Sequence, residues 1–159
     1  MVATYDRNGV QFCYPENWRT TDEVWSQSPP TVAVQSPGTG FWSVTVYPES
    51  TGPRRIAAEA LQAMRHEYAD LEFEVLEDET WLGEDCFGYD MRFFYLDWII
   101  RVKVLGFRAA GHTFLTQWQA EDREFDQTEE VFRAISLSLA NPSPAASSET
   151  PANTNTKKA

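Results

Sequence analysis

The sequence predicts an α+β fold, a mainly antiparallel sheet carrying two principal helices. Three observations lead there. The 159 residues are one domain's length, and a chain of that size buries roughly 70% of its unfolded surface in a single core. Strand-like and helical runs come in the order strands, helix, strands, helix, which segregates the helices from a sheet whose neighbours are joined by short turns. The second half holds four strand-like runs in succession, the pattern of an antiparallel meander.

Taken in order, Asp6-Arg7-Asn8-Gly9 reads as a turn in which glycine supplies the positive φ. Val10-Gln11-Phe12-Cys13-Tyr14 then alternates as a strand stopped by Pro15. Asn17-Trp18 opens a polar stretch, Thr31-Val32-Ala33-Val34-Gln35 reads as a second short strand, and residues 36–40 turn the chain. Residues 41–47, rich in β-branched and aromatic side chains, form a third strand. Gly52-Pro53 marks a helix start, because the missing proline N–H is harmless at the first helical position. Ala57, Ala60, Leu61, Met64, Tyr68 and Leu71 recur at helical spacing and predict a helix over 53–69. The meander strands are expected at 73–80, 86–96, 98–108 and 113–120. A last helix follows, with Asp126 and Glu129 spaced as a capping box and Phe125, Thr128, Phe132, Ile135 and Leu139 as its buried stripe. Residues 1–139 are thus one domain. Residues 140–159, poor in apolar side chains and rich in Pro, Ser, Thr, Asn and Ala, read as a disordered tail.

Six Trp, six Tyr and ten Phe exclude disorder for the rest of the chain. The formal net charge is -11, and only three residues are lysine. That balance argues against duplex nucleic acid or an anionic membrane surface as the main partner, since both demand a basic face. The tail holds two lysines and one glutamate, leaving 11 bases against 23 acids, or -12, ahead of it. The excess is concentrated: residues 67–90 contain ten acids and no Lys or Arg. Such a run is a solvated edge that discourages sheet-to-sheet pairing, a docking surface for a basic partner, or a set of hard oxygen ligands for a divalent metal. Glu77, Asp78, Glu79, Trp81, Glu84 and Asp85 form the candidate partner surface within it.

Arg92, Arg101 and Lys103 alternate on neighbouring strands and are expected to face the same way as Phe94, Leu105, Gln117 and Gln119. They pair with helix or edge carboxylates, or form a strip that recognises an anion. Trp42, Trp98 and Trp118 fall on strands and are expected in the core. Trp18, Trp25 and Trp81 fall at strand ends or loops, as core anchors or as interface rings. His66 and His112 have no metal-ligand spacing, and Cys13 and Cys86 lack a CxxC arrangement and read as two mostly buried free thiols. No Gly-x-Ser-x-Gly, P-loop or dinucleotide fingerprint occurs. No cofactor is implied. The first residues lack a basic region followed by an apolar one, and no apolar run approaches the roughly 20 residues of a membrane helix. The expected setting is cytoplasmic.

The opening Asn8-Gly9-Val10-x-Phe12-x-Tyr14-Pro15-x-Asn17-Trp18, the mid-chain helix, the meander and the closing Phe132, Ile135, Ser138, Leu139 together resemble one family. The layout resembles the PsbP-like superfamily, shared by the extrinsic photosystem II protein, a Ran-binding nuclear import factor, bacterial lipoproteins and secretion chaperones. The resemblance runs over roughly residues 4–139. It implies an α/β/α sandwich and a non-enzymatic, protein-binding adaptor or chaperone, with no family functional residue carried onto this chain. The reading set against it is a small hydrolase or a divalent-metal or ligand-binding protein using the acidic 67–90 segment.

Overall fold

In the computed structural model the chain runs β1 (Val2–Arg7), β2 (Val10–Pro15), β3 (Arg19–Val24), β4 (Thr31–Gln35), β5 (Phe41–Pro48), α1 (Pro53–Glu67), β6 (Glu72–Leu76), β7 (Phe87–Tyr95), β8 (Trp98–Ala109), β9 (His112–Glu121) and α2 (Asp122–Ala140). The structure describes residues 1–24, 28–77, 79–83 and 85–142, with the backbone alone for 22–24. Trp25, Asp78, Glu84 and all of the tail beyond residue 142 lie outside the described residues.

Seven strands form one antiparallel sheet in the order β3-β4-β5-β9-β8-β7-β6, and β1 and β2 form a separate hairpin. Asn8 and Gly9, with φ of 55° and 81°, turn that hairpin, and Ala110 and Gly111, at 52° and 81°, repeat the arrangement between β8 and β9. Two successive positive φ values match the right-handed twist of the strands they connect.

Side-chain alternation divides the sheet into two faces, each with its own core. Trp42, Val44, Leu105, Phe107, Phe114 and Trp118 lie on one face, beneath Phe125, Phe132, Ile135 and Leu139 of α2 and Phe12 of the hairpin. Val102, Val104, Met91 and Phe93 lie on the other, against Ala57 and Leu61 of α1. Helix, sheet, and helix with hairpin make three layers, the α/β/α sandwich. Gly106 lets α1 come close: a Cβ there would sit 2.5 Å from the Pro53 carbonyl.

Four expectations need correction. Strands β1 and β3 add to the expected elements: along β1 only Tyr5 is buried, and β3 is an edge strand of mostly polar sequence, so neither shows a clear two-residue period. β6 stops at Leu76, and Thr80–Leu82 form a 3₁₀ turn because Leu82 is drawn into the core. α1 ends at Glu67, where the Tyr68 N–H closes on the Met64 carbonyl. α2 starts earlier than the predicted box: Glu121 is its N-cap, accepting from the Arg123 amide at 3.2 Å. Asp126 and Glu129 are interior positions of that helix, and each reaches a base on the sheet.

Candidate interaction surface

Among the predicted surface residues, Trp81 is half-buried rather than displayed. Its indole N–H donates to Glu79 Oε1 at 2.6 Å, its ring lies 6.2 Å from that of Trp118, and the Arg133 guanidinium covers it at 4.3 Å. Asp85 accepts from Arg108 at 2.6 Å, and Arg108 also donates to the Glu49 and Thr51 carbonyls. Glu77 is exposed and joins Asp85, Arg54 and Arg108 around an open cleft of ≈ 270 Å³. The fold therefore brings Glu77 and Asp85 together and ties Glu79, Trp81 and Asp85 to partners within the chain.

The three bases on the sheet are engaged as well. Arg101 bridges Asp90 at 3.0 Å and Asp126 at 3.2 Å and lies over Phe125 at 4.3 Å. Lys103, 6% exposed, meets Glu129 at 3.1 Å and the face of Trp118 at 5.0 Å. Arg92 is 3.7 Å from Asp122. A buried ammonium is tolerable only when paired in this way. Gln117 and Gln119 were expected beside these bases but face the opposite side, because Lys103 pairs with Trp118 and Val102 with Gln119.

The most exposed large apolar side chains of the seven-stranded sheet lie elsewhere, at the tip of the β7–β8 hairpin. Phe94, Tyr95, Leu96 and Trp98 are 62%, 54%, 81% and 51% exposed. Trp98, expected in the core, is out because β7 and β8 outrun their neighbour: β9 pairs only as far as Ile100, while β8 continues through Ile99 to Trp98 opposite Tyr95. Leu96 turns this tip with φ of 57°. A left-handed backbone costs a non-glycine residue about 1–2 kcal/mol, and an exposed leucine returns none of it through burial. Asp97, Trp98 and Ile99 line a shallow cavity of ≈ 590 Å³ with Glu121, Asp122 and Arg123. One sequence signal was available. From Phe93 to Ile100 seven of eight residues are apolar, without the alternation of a strand that has one wet face.

Neither a protein-family model nor a curated protein matches the sequence. Solved structures do match it in shape. The cyanobacterial PsbP protein (CyanoP) of Synechocystis is 15% identical, covers 84% of this chain and 88% of its own, and superposes with a TM-score of 0.54. The chain has the PsbP-like fold. The Ran-binding protein Mog1p of Saccharomyces cerevisiae is 8% identical, with coverage of 88% and 92% and a TM-score of 0.54. PA94 of Pseudomonas aeruginosa, a protein of unknown function, is 12% identical, with coverage of 90% and 98% and a TM-score of 0.51.

Within this PsbP-like fold the remaining chemistry-bearing groups stand apart. His66 is exposed on α1, and His112 Nδ1 lies 3.1 Å from the Ala110 carbonyl. Among the described residues no group of three His, Cys, Asp or Glu converges as a metal site. Cys13 is half-buried and Cys86 buried, both as free thiols. Burial, aided by the nearby charge of Glu79, pushes the Cys86 thiol up to about 12, far from the range of a nucleophilic cysteine. No helix among the described residues is long and apolar enough to cross a membrane.

Proposed function

We propose that this chain is a non-enzymatic protein-binding module, an adaptor or chaperone-like domain, that docks through the tip of its β7–β8 hairpin. One observation carries the reading. Four large apolar side chains are exposed at one hairpin tip, Tyr95 and Trp98 on the α1 face of the sheet, Phe94 on the α2 face and Leu96 on the turn itself, where the leucine sits in a strained backbone region. Neither folding nor solubility favours that choice, and clustered aromatic anchors are what protein interfaces use. A shape shared with a protein named for Ran binding supports the class of function, not the partner.

The partner we infer has an apolar pocket for the tip and basic groups around it, in keeping with the domain's acidic balance. Glu77, Asp78, Glu79, Trp81, Glu84 and Asp85 are proposed as a flanking contact, with Glu77 and Asp85 the exposed ones among those described. The setting is inferred to be cytoplasmic, which two free thiols support. The test is affinity capture from native lysate at low salt with the wild type and with a Leu96→Asn, Trp98→Ser variant. A specific partner retained by the wild type should be held about 30-fold or more weakly by the variant, whose thermal midpoint is unchanged or raised. No specific partner, or equal capture by both, defeats the reading.

A further inference from the structure

We propose that β6 is a docking edge for an extended segment of a basic partner protein, one in which basic and apolar residues alternate. β6 ends the sheet in the strand order, bonded to β7 on one side only. Its outer side presents backbone N–H and C=O groups in strand geometry, which an added strand can satisfy. Its two rows of side chains differ. Glu72 and Glu74 project on the α2 side of the sheet, where they line a shallow trough of ≈ 180 Å³ with Asp90 and Arg92. Neither glutamate makes an ion pair among the described residues, whereas Asp90 is held by Arg101. Phe73 and Val75 project on the α1 side and remain 40% and 48% exposed, with Arg65 5.3 Å from the Phe73 ring.

An edge charged only for defence accounts for the glutamates but not for an exposed phenylalanine and valine in the other row. The two rows together complement a strand that offers basic side chains to one face and apolar side chains to the other. A second copy of this chain is the wrong occupant. β6 against β6 would set glutamate beside glutamate, and like charges in cross-strand contact oppose pairing. Charge complementarity, reinforced by exposed Glu67, Asp70 and Glu77 around the strand, selects a basic segment. The inference goes beyond the hairpin-tip reading and is tested separately from it.

The probe is a fluorescein-labelled peptide of alternating lysine and valine, titrated at low salt by anisotropy, with amide shifts followed by NMR. Saturable binding is expected, with shifts concentrated at residues 72–76. Methylating alternate peptide nitrogens, in the register that faces β6, should abolish it, because the inter-strand hydrogen bonds are lost. Glu72→Lys with Glu74→Lys should weaken it about tenfold or more and confer binding of the glutamate–valine counterpart. The Leu96→Asn, Trp98→Ser variant should bind the peptide as the wild type does, so failure here leaves the tip reading standing. The proposal is overturned if no saturable binding occurs, if a scrambled peptide of equal charge binds equally, or if both N-methylated registers bind as well as the parent. The N-methyl comparison uses the wild type and decides the matter even if the charge-reversed variant does not fold.

Discussion

Trp42 donates its indole N–H to Ser136 Oγ at 3.0 Å, and Trp118, directly opposite on the next strand, donates to the same oxygen at 3.1 Å. The hydroxyl in turn donates to the Phe132 carbonyl at 2.9 Å. A serine hydroxyl has one proton and two lone pairs, and here all three are used. The three side chains are fully buried. One small residue thus ties α2 to the two largest fully buried side chains and fixes the helix on the sheet.

Ser136→Ala should therefore cost far more than one hydroxyl suggests. It leaves two buried donors without a partner, at about 1–3 kcal/mol each, so a loss of about 3 kcal/mol is expected in urea unfolding. Adding Trp42→Phe removes one of the stranded donors, and the two losses should then sum to more than the double variant shows. A Ser136→Ala loss below about 1 kcal/mol would mean that the indoles find other acceptors.

A second tie holds the β4–β5 turn to the start of α2. Glu124 accepts from the Thr39 amide at 2.9 Å, the Thr39 hydroxyl at 2.6 Å, the Gly40 amide at 3.2 Å and the Ser36 hydroxyl at 3.4 Å. Burial raises the pKa of the carboxyl, but the hydrogen bonds from Thr39, Gly40 and Ser36 outweigh it, and the net direction is down from the ordinary 4.5. A depressed carboxylate adds stability that is present above the unfolded value and lost as pH falls through the folded one. Glu124→Gln is expected to lose about 1–2 kcal/mol at neutral pH. That gap should close on acidification, since wild-type Glu124 then becomes neutral too. Thermal melts of both proteins from pH 7 down to pH 3 measure it, and a gap constant over that range would remove the charge from the explanation.

How far the sequence could be read depended on where each side chain's partners lie. β5, β8 and β9 are central, and their apolar and β-branched runs announce them. β1 buries little, β3 is an edge strand of mostly polar sequence, and neither carries a period. The acidic run reads as unpaired because its partners are remote in sequence: Asp90 meets Arg101 on the neighbouring strand, and Asp85, in the turn before β7, meets Arg108 on β8. Asp126 and Glu129 imitate a capping box because two helix residues three apart share a face, here the face opposite Arg101 and Lys103. The exposed tip was hidden for another reason. Whether Trp98 is core or surface depends on where β9 stops, and a local pattern does not contain the length of its neighbour.

The two cysteines should separate chemically. The nucleophile in alkylation is the thiolate, and Cys86, at about 12, is ionised to about one part in ten thousand at pH 8. It is also 4% exposed, inside the core that holds Leu82 and Phe107. Cys13 lies on the outer hairpin, half-buried, in a largely apolar groove between β2 and α2 lined by Met1, Val2, Val131 and Ala134. Its backbone N–H is held by Ser138 Oγ at 2.8 Å, so the strand is fixed while the side chain borders open space. Iodoacetamide at pH 8 should add one group per native chain, at Cys13, and a second only on unfolding in urea. Intact-mass measurement followed by peptide mapping reads the order directly. Modification of Cys86 in the native protein at a rate near that of Cys13 would mean that the core around Leu82 opens far more often than its packing implies. In that case the Ser136→Ala variant should accelerate Cys86 labelling little, whereas a closed core predicts that acceleration to track the measured loss of stability.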